Sequence, residues 1–382
     1  MKIPCRERKV SNLQTNSLYL SLTCEDGLSS NVKRAKPELA KFERRDMNAG
    51  LIIALALCLA APQRTRQELQ DPQNLEELDL QELEQRRQVT GAEDGMVILF
   101  WNLENFFDCT DGGNGASDAE FTPQGARHWT WRRFRAKAEA VAKTLLYLSD
   151  GLPAIAGFAE VENLSVVRQI ARAEALKAYE PGYVHYDSPD PRGIDVALIY
   201  DRRRLTLLRS EPHRVDAGPT RDILEAVFLC RGGDTLTVFV NHHPSKYGGG
   251  GSSRRREAAM KRLVELCGRV HGPVVAMGDF NDTPDAATFS LADGVLVNKA
   301  RGESLKGRGT IRYDGRWELI DMFLVSAEMD PYTEMTVPVP SFLMVRDPAH
   351  SGYKPLRTYS GPRYTGGISD HLPIRLELSL PF

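Results

Sequence analysis

The sequence has no excess of charge of either sign and no apolar run long enough to cross a bilayer. Its 382 residues include 49 Lys and Arg against 51 Asp and Glu, which gives a formal net charge of -2. A protein that coats nucleic acid without sequence preference is usually more basic, so this balance argues against such a role. Any contact with a polyanion must therefore come from a local basic patch.

Cysteine is also scarce, with six residues and no CxxC pair. Cys109, Cys230 and Cys267 fall in the part of the chain that we predict to be folded. Cysteines so widely spaced indicate neither a disulfide framework nor a zinc knuckle, and we expect them to be small buried side chains. Apolar residues make up 42% of the chain, which is enough for a sizeable core.

The longest apolar run covers residues 49–61, which is shorter than the roughly 20 residues of a spanning helix. Its length, its small terminal residues and the polar stretch after Pro62 are typical of a signal peptide. We therefore predict a leader over 1–62, with Met47 as an alternative start, and a periplasmic or secreted location. A buried helix is the alternative interpretation, and it would leave the protein in the cytoplasm. Residues 63–95 are predicted to be a polar spacer.

From Met96 onward, apolar strands alternate with a few amphipathic helices. Helices are predicted over 131–148, 165–179 and 253–270, and strands over 96–101, 154–158, 194–200, 235–241, 274–277, 319–325 and 372–378. This pattern predicts a layered α/β fold, with one domain over 96–382. We expect residues 331–355 to form a long loop near the functional site.

Five polar clusters lie at the ends of the predicted strands. They are WNLEN (101–105), AEVEN (159–163), NHHPSK (241–246), GDFND (278–282) and SDH (369–371). Strand ends at one edge converge, so the clusters would gather carboxylates, amides and imidazoles in one cleft. Such a set suits Mg²⁺, which prefers oxygen ligands, better than structural zinc. Taken alone, each cluster is weak evidence, since GDFND is also a common turn composition.

In this order, the clusters resemble those of the endonuclease/exonuclease/phosphatase superfamily, whose fold is DNase I-like. The resemblance covers residues 96–382, and GDFN and SDH are its most specific parts. It implies an α/β fold: a four-layered sandwich of two packed, mainly antiparallel sheets flanked by helices. It also implies metal-dependent hydrolysis of a phosphate ester.

The resemblance assigns a role to each residue of the set. The metal ligands, for Mg²⁺ or alternatively Mn²⁺, would be Glu160, Glu104 and Asp370. The catalytic residues would be Asn102, His242, Asp279, Asn281, Asp321 and His371. Asp279 and Asn281 would position the attacking water, and Asn102 would orient the phosphate. His371, held by Asp321, would be the general base or would stabilise the transition state. His242 would protonate the leaving oxygen or contact the phosphate.

Two assignments have competitors one or two residues away. Glu160 and Glu162 alternate by two and would share a strand face, and the register of the cluster favours Glu160 as the ligand. His242 and His243 point to opposite faces of a strand, so only one can line the site. We assign His242 because it directly follows Asn241, as in the family.

Basic residues near the glycine run 248–251 are predicted to contact substrate weakly, namely Lys246, Arg254 and Arg255. The segment RHWTWRRFR (127–135) could bind phosphates or stack on bases, although a solvated cationic helix face explains it equally well. The segment RGID (192–195) is a further candidate for the rim of the site.

The expected function is hydrolysis of phosphodiester bonds by an extracytoplasmic endonuclease-like enzyme, acting as a monomer on nucleic acid or another phosphodiester. One alternative is a phosphatase or phosphodiesterase acting on lipid head groups or inositol phosphates. The other is an inactive relative that serves as a binding module. An inactive relative would have lost site residues, and the complete set argues against it.

Overall fold

The structure is a computed structural model, and it describes residues 95–112, 118–246 and 250–379. The predicted leader over 1–62 and the spacer over 63–95, apart from Gly95, lie outside the described residues. Within the described part, every helix is too short or too polar to cross a membrane.

Two six-stranded sheets form the centre of the fold, with strands numbered in chain order. The first contains, from edge to edge, Thr333–Thr336 (β13), Ile374–Leu378 (β18), Met96–Phe106 (β1), Ile155–Val161 (β2), Asp195–Tyr200 (β4) and Gly182–His185 (β3). The second contains Leu205–His213 (β5), Ile223–Cys230 (β6), Thr235–His242 (β7), Val274–Asp279 (β8), Asp321–Ser326 (β12) and Leu296–Asn298 (β9).

Most neighbouring strands in both sheets run antiparallel, as the resemblance implied. The β1–β2 and β7–β8 pairs are the parallel ones among the described strands. Three short hairpins lie outside the sheets: Ile311–Tyr313 with Arg316–Glu318 (β10, β11), Met344–Arg346 with Tyr353–Pro355 (β14, β15), and Tyr359–Ser360 with Arg363–Tyr364 (β16, β17).

Helices flank the two sheets and complete the predicted α/β sandwich. The described helices are Trp131–Ser149 (α1), Leu164–Ala171 (α2), Gly250–Cys267 (α3) and Arg301–Leu305 (α4). Helix α1 begins where the Thr130 side chain accepts a hydrogen bond from the Arg133 N–H, a cap that contributes about 1 kcal/mol. Its Phe134 ring packs edge-on against Phe106 of the first sheet.

Helix α2 ends at Ala171, whereas the sequence pattern predicted a helix to Tyr179. The chain turns instead into a short 3₁₀ segment, Glu174–Leu176. The Glu139 carboxylate of α1 accepts hydrogen bonds from the backbone N–H groups of Glu174 and Ala175. This tertiary contact satisfies the amides that a continued helix would have used, and periodicity alone could not reveal it.

The core lies between the sheets and beneath the helices, and central strands are buried along their whole length. All six residues of β8 are buried, as are all six of β4. Gly157 of β2 provides room for Met277 of the opposite sheet, whose terminal methyl would lie 2.6 Å from a Cβ at that position. The sheets therefore interdigitate closely.

Residues 331–355 are more structured than the loop that the sequence predicted. They contain the edge strand β13, a 3₁₀ segment over Ser341–Leu343 and the β14–β15 hairpin. Strand β13 pairs with β18, so backbone hydrogen bonding to a distant segment orders this part of the chain.

Candidate active site

The strand register of the second sheet brings predicted catalytic residues into one row. His242 of β7 lies opposite Asp279 of β8, and Asp279 lies opposite Asp321 of β12. Asn102 of the first sheet donates from Nδ2 to Asp279 Oδ2 at 3.0 Å, so the row spans the gap between the sheets. The close approach of β7 to β8 requires glycine at 278, because a Cβ there would lie 2.3 Å from the Asn241 carbonyl oxygen.

Two imidazoles face Asp279 from different elements. His371 Nδ1 lies 2.8 Å from Asp321 Oδ2, which leaves Nε2 directed toward Asp279 Oδ2 at 4.0 Å. His242 Nε2 lies 3.6 Å from the same Asp279 oxygen. The Trp101 indole N–H donates to the His371 carbonyl at 2.9 Å, which fixes the SDH segment against β1. Two imidazole rings therefore lie beside the buried carboxylate of Asp279.

Glu160 reaches this row because β2 contains a bulge. The pairing of β2 with β4 shifts between Ala159 and Val161, and Glu160 adopts a φ of 60°. Its Oε2 accepts a hydrogen bond from the Asn105 N–H at 2.8 Å, and its Oε1 lies 4.0 Å from His242 Nε2. The bulge thus directs the carboxylate toward the second sheet.

Glu162 lies in a different environment, although simple strand alternation would have placed it on the same face as Glu160. The Asp108 N–H donates to its Oε2 at 2.6 Å. Burial, together with a hydrogen bond to Asp118, raises the pKa of Glu162 to about 9. Of the two glutamates, Glu160 therefore lies in the cluster, and Glu162 anchors the chain after β1.

Four non-glycine residues of the site have left-handed backbone conformations. They are Glu104, Asn105, Glu160 and Asn281, with φ between 46° and 60°. Each such residue costs of order 1 kcal/mol or more, so strong local contacts must hold it. At Asn281, the contacts run from its N–H to Asp279 Oδ1 at 2.9 Å and from its Nδ2 to the His243 carbonyl at 3.1 Å. Such strain is typical of sites where side-chain direction matters more than stability.

The surroundings shift the pKa values of the three central ionisable groups of the site in different directions. Burial, reinforced by the Asp321 carboxylate, raises the pKa of Asp279 to about 7. Burial and the Arg221 guanidinium lower the pKa of His242 well below its usual range. Burial alone would lower the pKa of His371, but the Asp321 carboxylate outweighs it and raises that pKa well above its usual range. At neutral pH His242 is neutral and His371 is protonated, which suits His371 to charge stabilisation or proton donation.

A buried ion pair that the sequence reasoning missed supports the His242 segment. Arg221 donates to Asp190 Oδ2 at 2.7 Å, to the His242 carbonyl at 3.1 Å and to the His243 carbonyl at 2.6 Å. His243 points away from the row and packs edge-on against Phe280, with 4.8 Å between ring centres. Arg221 therefore holds the backbone of both histidines in place, and strand alternation turns His242 toward Asp279.

Glu104 and Asp370, which the family resemblance assigned to the metal, share one guanidinium in this structure. Arg357 donates from Nε to Glu104 Oε1 at 2.9 Å and from Nη2 to Asp370 Oδ2 at 2.9 Å. The Thr358 N–H donates to Glu104 Oε2 at 2.8 Å. Lys137, which is buried, donates to the Glu104 carbonyl at 2.9 Å. In this arrangement both oxygens of Glu104 already serve protein donors.

None of the predicted substrate cations contacts the row among the described residues, and two of them have other partners. Lys246 pairs with Glu318 at 2.7 Å, and Arg255 donates to the carbonyls of Ala217 and Pro219. Arg254 is an exposed residue near the start of α3. The structure therefore does not bring these three side chains to the carboxylates.

Arg192 of the RGID segment does reach the rim, with Nη1 3.8 Å from Glu160 Oε1 and its side chain about half exposed. The Arg192 N–H donates to Asp190 Oδ1 at 2.9 Å, so the buried Asp190–Arg221 pair also positions this residue. Asp195 of the same segment serves the neighbouring strand end, since it accepts from the Ser188 N–H and lies 3.2 Å from His185 Nε2.

The donor set fits a divalent cation. Carboxylate oxygens of Asp279 and Asp321 lie within 4.8 Å of each other, and the protonated His371 ring beside them is not a ligand itself. Asp321 Oδ1 is buried and has no hydrogen-bond partner among the described residues, as expected for an oxygen that would otherwise bind a cation or its water. Glu160 adds a carboxylate from the facing sheet. The set is richer in oxygen than in nitrogen, which is the preference of hard cations.

The structure has two packed β-sheets flanked by helices, and carboxylates, an amide and imidazoles cluster at one rim. This combination defines a metal-dependent phosphoesterase. The family model described as "Endonuclease/Exonuclease/phosphatase family" matches residues 97–380. The chain belongs to this family, as its sequence clusters indicated. Members of the family are enzymes that use divalent metals.

Solved structures of low sequence identity match about three quarters of this chain. An endonuclease/exonuclease/phosphatase from Bacteroides vulgatus is 15% identical, with a TM-score of 0.50, and the match covers 75% of this chain and all of that one. A mannosyl-6-phosphatase from Bacteroides thetaiotaomicron is 18% identical, with a TM-score of 0.48 and coverage of 75% and 100%. The human Nocturnin catalytic domain is 17% identical, with a TM-score of 0.48 and coverage of 75% and 94%. No curated protein sequence gives a significant match.

Proposed function

We propose that this protein is a Mg²⁺-dependent hydrolase of phosphodiester bonds. The observation that carries the proposal is the row in which Asn102, Asp279 and His371 meet across the two sheets, with Asp321 behind the imidazole. A phosphate bound at this row would meet an amide and a protonated imidazole, and the Asp279 carboxylate would hold the attacking water. Phosphoryl transfer requires such preorganised stabilisation of charge and an oriented water.

The metal would be held by Glu160 from the first sheet, together with the oxygen-rich set around Asp279. When bound, the ion would neutralise charge on the phosphoryl oxygens and lower the pKa of a water molecule. Carboxylate oxygens dominate the donors, which suits a hard cation such as Mg²⁺ or Mn²⁺, and Mg²⁺ is the ion that we propose.

The protein groups take separate roles in this proposal. Asp279 and the Asn281 backbone turn position the attacking water. His371 stabilises charge on the phosphate, because Asp321 fixes its ring and keeps it protonated. His242, which is neutral and buried, donates a hydrogen bond to phosphate. Arg192 adds a positive group at the exposed edge of Glu160, where a second phosphate oxygen would lie.

The test is hydrolysis by the full chain in Mg²⁺, on supercoiled DNA, RNA, a small phosphodiester and a phosphomonoester. Asp279→Ala, His371→Ala and addition of EDTA should each reduce turnover at least about 100-fold. Asp293→Ala, at an exposed aspartate outside the cluster, is the matched control and should retain activity. Unimpaired turnover in both site variants, with folded protein, would refute the site assignment.

The substrate panel also separates the alternatives. Nicking of DNA would support the endonuclease-like activity. Turnover of the phosphomonoester or small ester alone would favour a phosphatase of small or lipid-derived esters. A folded wild-type protein that hydrolyses none of them would favour a binding module.

The extracytoplasmic location stays a prediction and rests on the apolar run at residues 49–61. Expression of the full chain, followed by cell fractionation and N-terminal sequencing of the mature protein, tests it. A mature N-terminus close to Pro62 is the expected result, and an intact leader on cytosolic protein would contradict it. The monomeric state is likewise a prediction, and sedimentation equilibrium would test it.

A further inference from the structure

A second group of metal-binding side chains lies where β3 ends and β4 begins. Ligand atoms of His185, Asp187 and Asp195 all lie within 4.8 Å of one another. His185 is the last residue of β3, Asp195 is the first residue of β4, and Asp187 lies two residues beyond β3. The two strands are antiparallel neighbours in the first sheet, so their adjacent ends bring the three side chains together.

The His185 imidazole contacts one of these carboxylates without forming a hydrogen bond to it. Its side chain is 3% exposed, and Nε2 lies 3.2 Å from Asp195 Oδ2. The contact lacks hydrogen-bond geometry, and this buried Nε2 has no other hydrogen-bond partner in the part of the chain that the structure describes. Buried polar atoms normally have a partner, so this nitrogen has its lone pair or its proton available for a bound group.

The separation of His185 Nε2 from Asp195 Oδ2 suits two ligands of one metal ion. Zinc binds imidazole nitrogen and carboxylate oxygen at about 2.0–2.2 Å, so two ligand atoms of a tetrahedral site lie about 3.3–3.6 Å apart. The observed 3.2 Å is close to this range. A neutral imidazole that faces a carboxylate with its lone pair is repelled by it, and a cation between the two atoms would remove that repulsion.

The Asp195 carboxylate is held in place by a residue of the segment between the two strands. The Ser188 N–H donates to Asp195 Oδ1 at 2.9 Å, and the Ser188 hydroxyl donates to the same oxygen. Both hydrogen bonds use Oδ1, so Oδ2 is left facing His185. Carboxylates that bind metals are commonly oriented by such donors, whose loss costs about 10–100-fold in metal affinity.

The carboxylates of Asp187 and Asp195 also lack a basic partner. Within the described residues, no lysine or arginine forms an ion pair with either of them. Arg192, in the same segment, has its Nε 3.6 Å from Asp190 Oδ1, and Arg214 contacts a different carboxylate at 3.5 Å. The negative charge of the pair is therefore available to a divalent cation.

We propose that His185, Asp187 and Asp195 bind one Zn²⁺ ion, separate from the catalytic metal. One imidazole with two carboxylates suits zinc better than Mg²⁺, which binds oxygen ligands, and a water would complete the coordination. The ion would join the two ends of segment 186–194. This segment carries Asp190, which pairs with Arg221, and Arg192, which lies 3.8 Å from Glu160. The proposed role of the ion is to order the segment at the rim of the candidate active site.

The test is calorimetric titration of Zn²⁺ into the untagged full chain in excess Mg²⁺. The chain carries Glu160→Gln and Asp279→Asn, which remove ligands proposed for the catalytic metal. It should bind one equivalent of Zn²⁺ that is lost, or weakened at least about tenfold, when His185→Gln or Asp187→Asn is added. Asp187 is exposed, so its replacement does not endanger folding. Ser188→Ala keeps all three ligands and should weaken the same equivalent about 10–100-fold.

An exposed histidine and an exposed aspartate elsewhere in the chain provide matched controls. His271→Gln and Asp293→Asn should each leave the binding of Zn²⁺ unchanged. Circular dichroism would establish that every variant is folded. A folded parent chain that binds no Zn²⁺ would overturn the proposal. Zn²⁺ binding that His185→Gln and Asp187→Asn leave unchanged would overturn it as well, because the ion would then lie elsewhere.

Hydrogen exchange tests the ordering of the segment separately. Zn²⁺ should slow exchange of the backbone amides of 186–194 at least tenfold in the parent chain, and it should have no effect once Asp187→Asn is added. Unchanged exchange in the parent chain would refute the ordering role, and slowing that persists with Asp187→Asn would contradict the site. Neither measurement uses turnover, so a failure of the proposed function in the hydrolysis assay would be distinguishable from a failure of this inference.

Discussion

Replacing Arg221 with methionine should show how much the support of the His242 segment contributes to stability. The side chain is buried, and it donates to the Asp190 carboxylate and to the carbonyls of His242 and His243. Methionine fills much of the same volume but supplies none of these hydrogen bonds. It therefore leaves a buried carboxylate without its cation and two carbonyls without donors.

The expected loss is large, because breaking one side of a buried ion pair costs about 3–5 kcal/mol. Asp190 keeps a hydrogen bond from the Arg192 N–H, which limits the loss, so we expect about 3 kcal/mol for Arg221→Met. The same change should raise the pKa of His242, since the Arg221 charge helps to lower it. Urea unfolding of the full chain, followed by tryptophan fluorescence, measures the first effect. NMR titration of the imidazole measures the second.

A matched pair at the surface provides the control. Lys261 pairs with Glu257 at 2.6 Å on the surface of α3, and both side chains are about half exposed, so Lys261→Met should cost only about 0–1 kcal/mol. Combining Arg221→Met with Asp190→Asn should cost less than the sum of the two single changes by at least about 1 kcal/mol. A loss below about 1 kcal/mol for Arg221→Met, or strictly additive changes, would refute the reasoning.

Three further predictions concern a buried histidine, the partner of His371 and a helix end. Burial lowers the pKa of His243 to about 3, so the unfolded chain binds the extra proton between pH 6.5 and 3, and stability falls as pH falls through that window. His243→Phe should remove up to about 1.4 kcal/mol per pH unit of that slope, and acid-unfolding curves that stay parallel to wild type would contradict this. Asp321→Asn should lower the pKa of His371 in NMR titrations and cut turnover about 100-fold, and an unchanged pKa would show that the carboxylate does not control the ring. Asp150→Gly, at a left-handed helix end whose buried Oδ1 has no hydrogen-bond partner in the described part of the chain, should raise stability to urea by about 0.5–1 kcal/mol, whereas a loss would show that the side chain matters.

The order of the polar clusters predicted the fold and most of the central row. Such prediction works because a strand that ends in GDFND or precedes SDH must present those groups at a sheet edge. The sequence could not show in which direction each side chain leaves its strand. Glu160 and Glu162 differ in their surroundings because of a bulge, and a bulge depends on the pairing partner as much as on the residues themselves.

The residues that sequence reasoning missed act through tertiary contacts between distant segments. Arg357 reaches Glu104 across 253 positions, and Lys137 reaches Thr358 across 221. Neither lies in a polar cluster or next to a strand end, so no local signal distinguishes them from surface cations. Conversely, Arg255 lies close in sequence to His242 but has its guanidinium on the carbonyls of Ala217 and Pro219.

The hydrogen bond from Asn102 to Asp279 joins one sheet to the other. The geometry of the row of catalytic residues therefore depends on how the two sheets pack against each other. A partly loosened form, in which each sheet keeps its own backbone ladder while the layers slide by an ångström or two, would keep its far-ultraviolet circular dichroism. It would nevertheless lose the geometry that joins Asn102, Asp279 and Glu160. In mild denaturant, turnover should therefore disappear before secondary structure does, and the gap between the two transitions would measure how easily the layers separate.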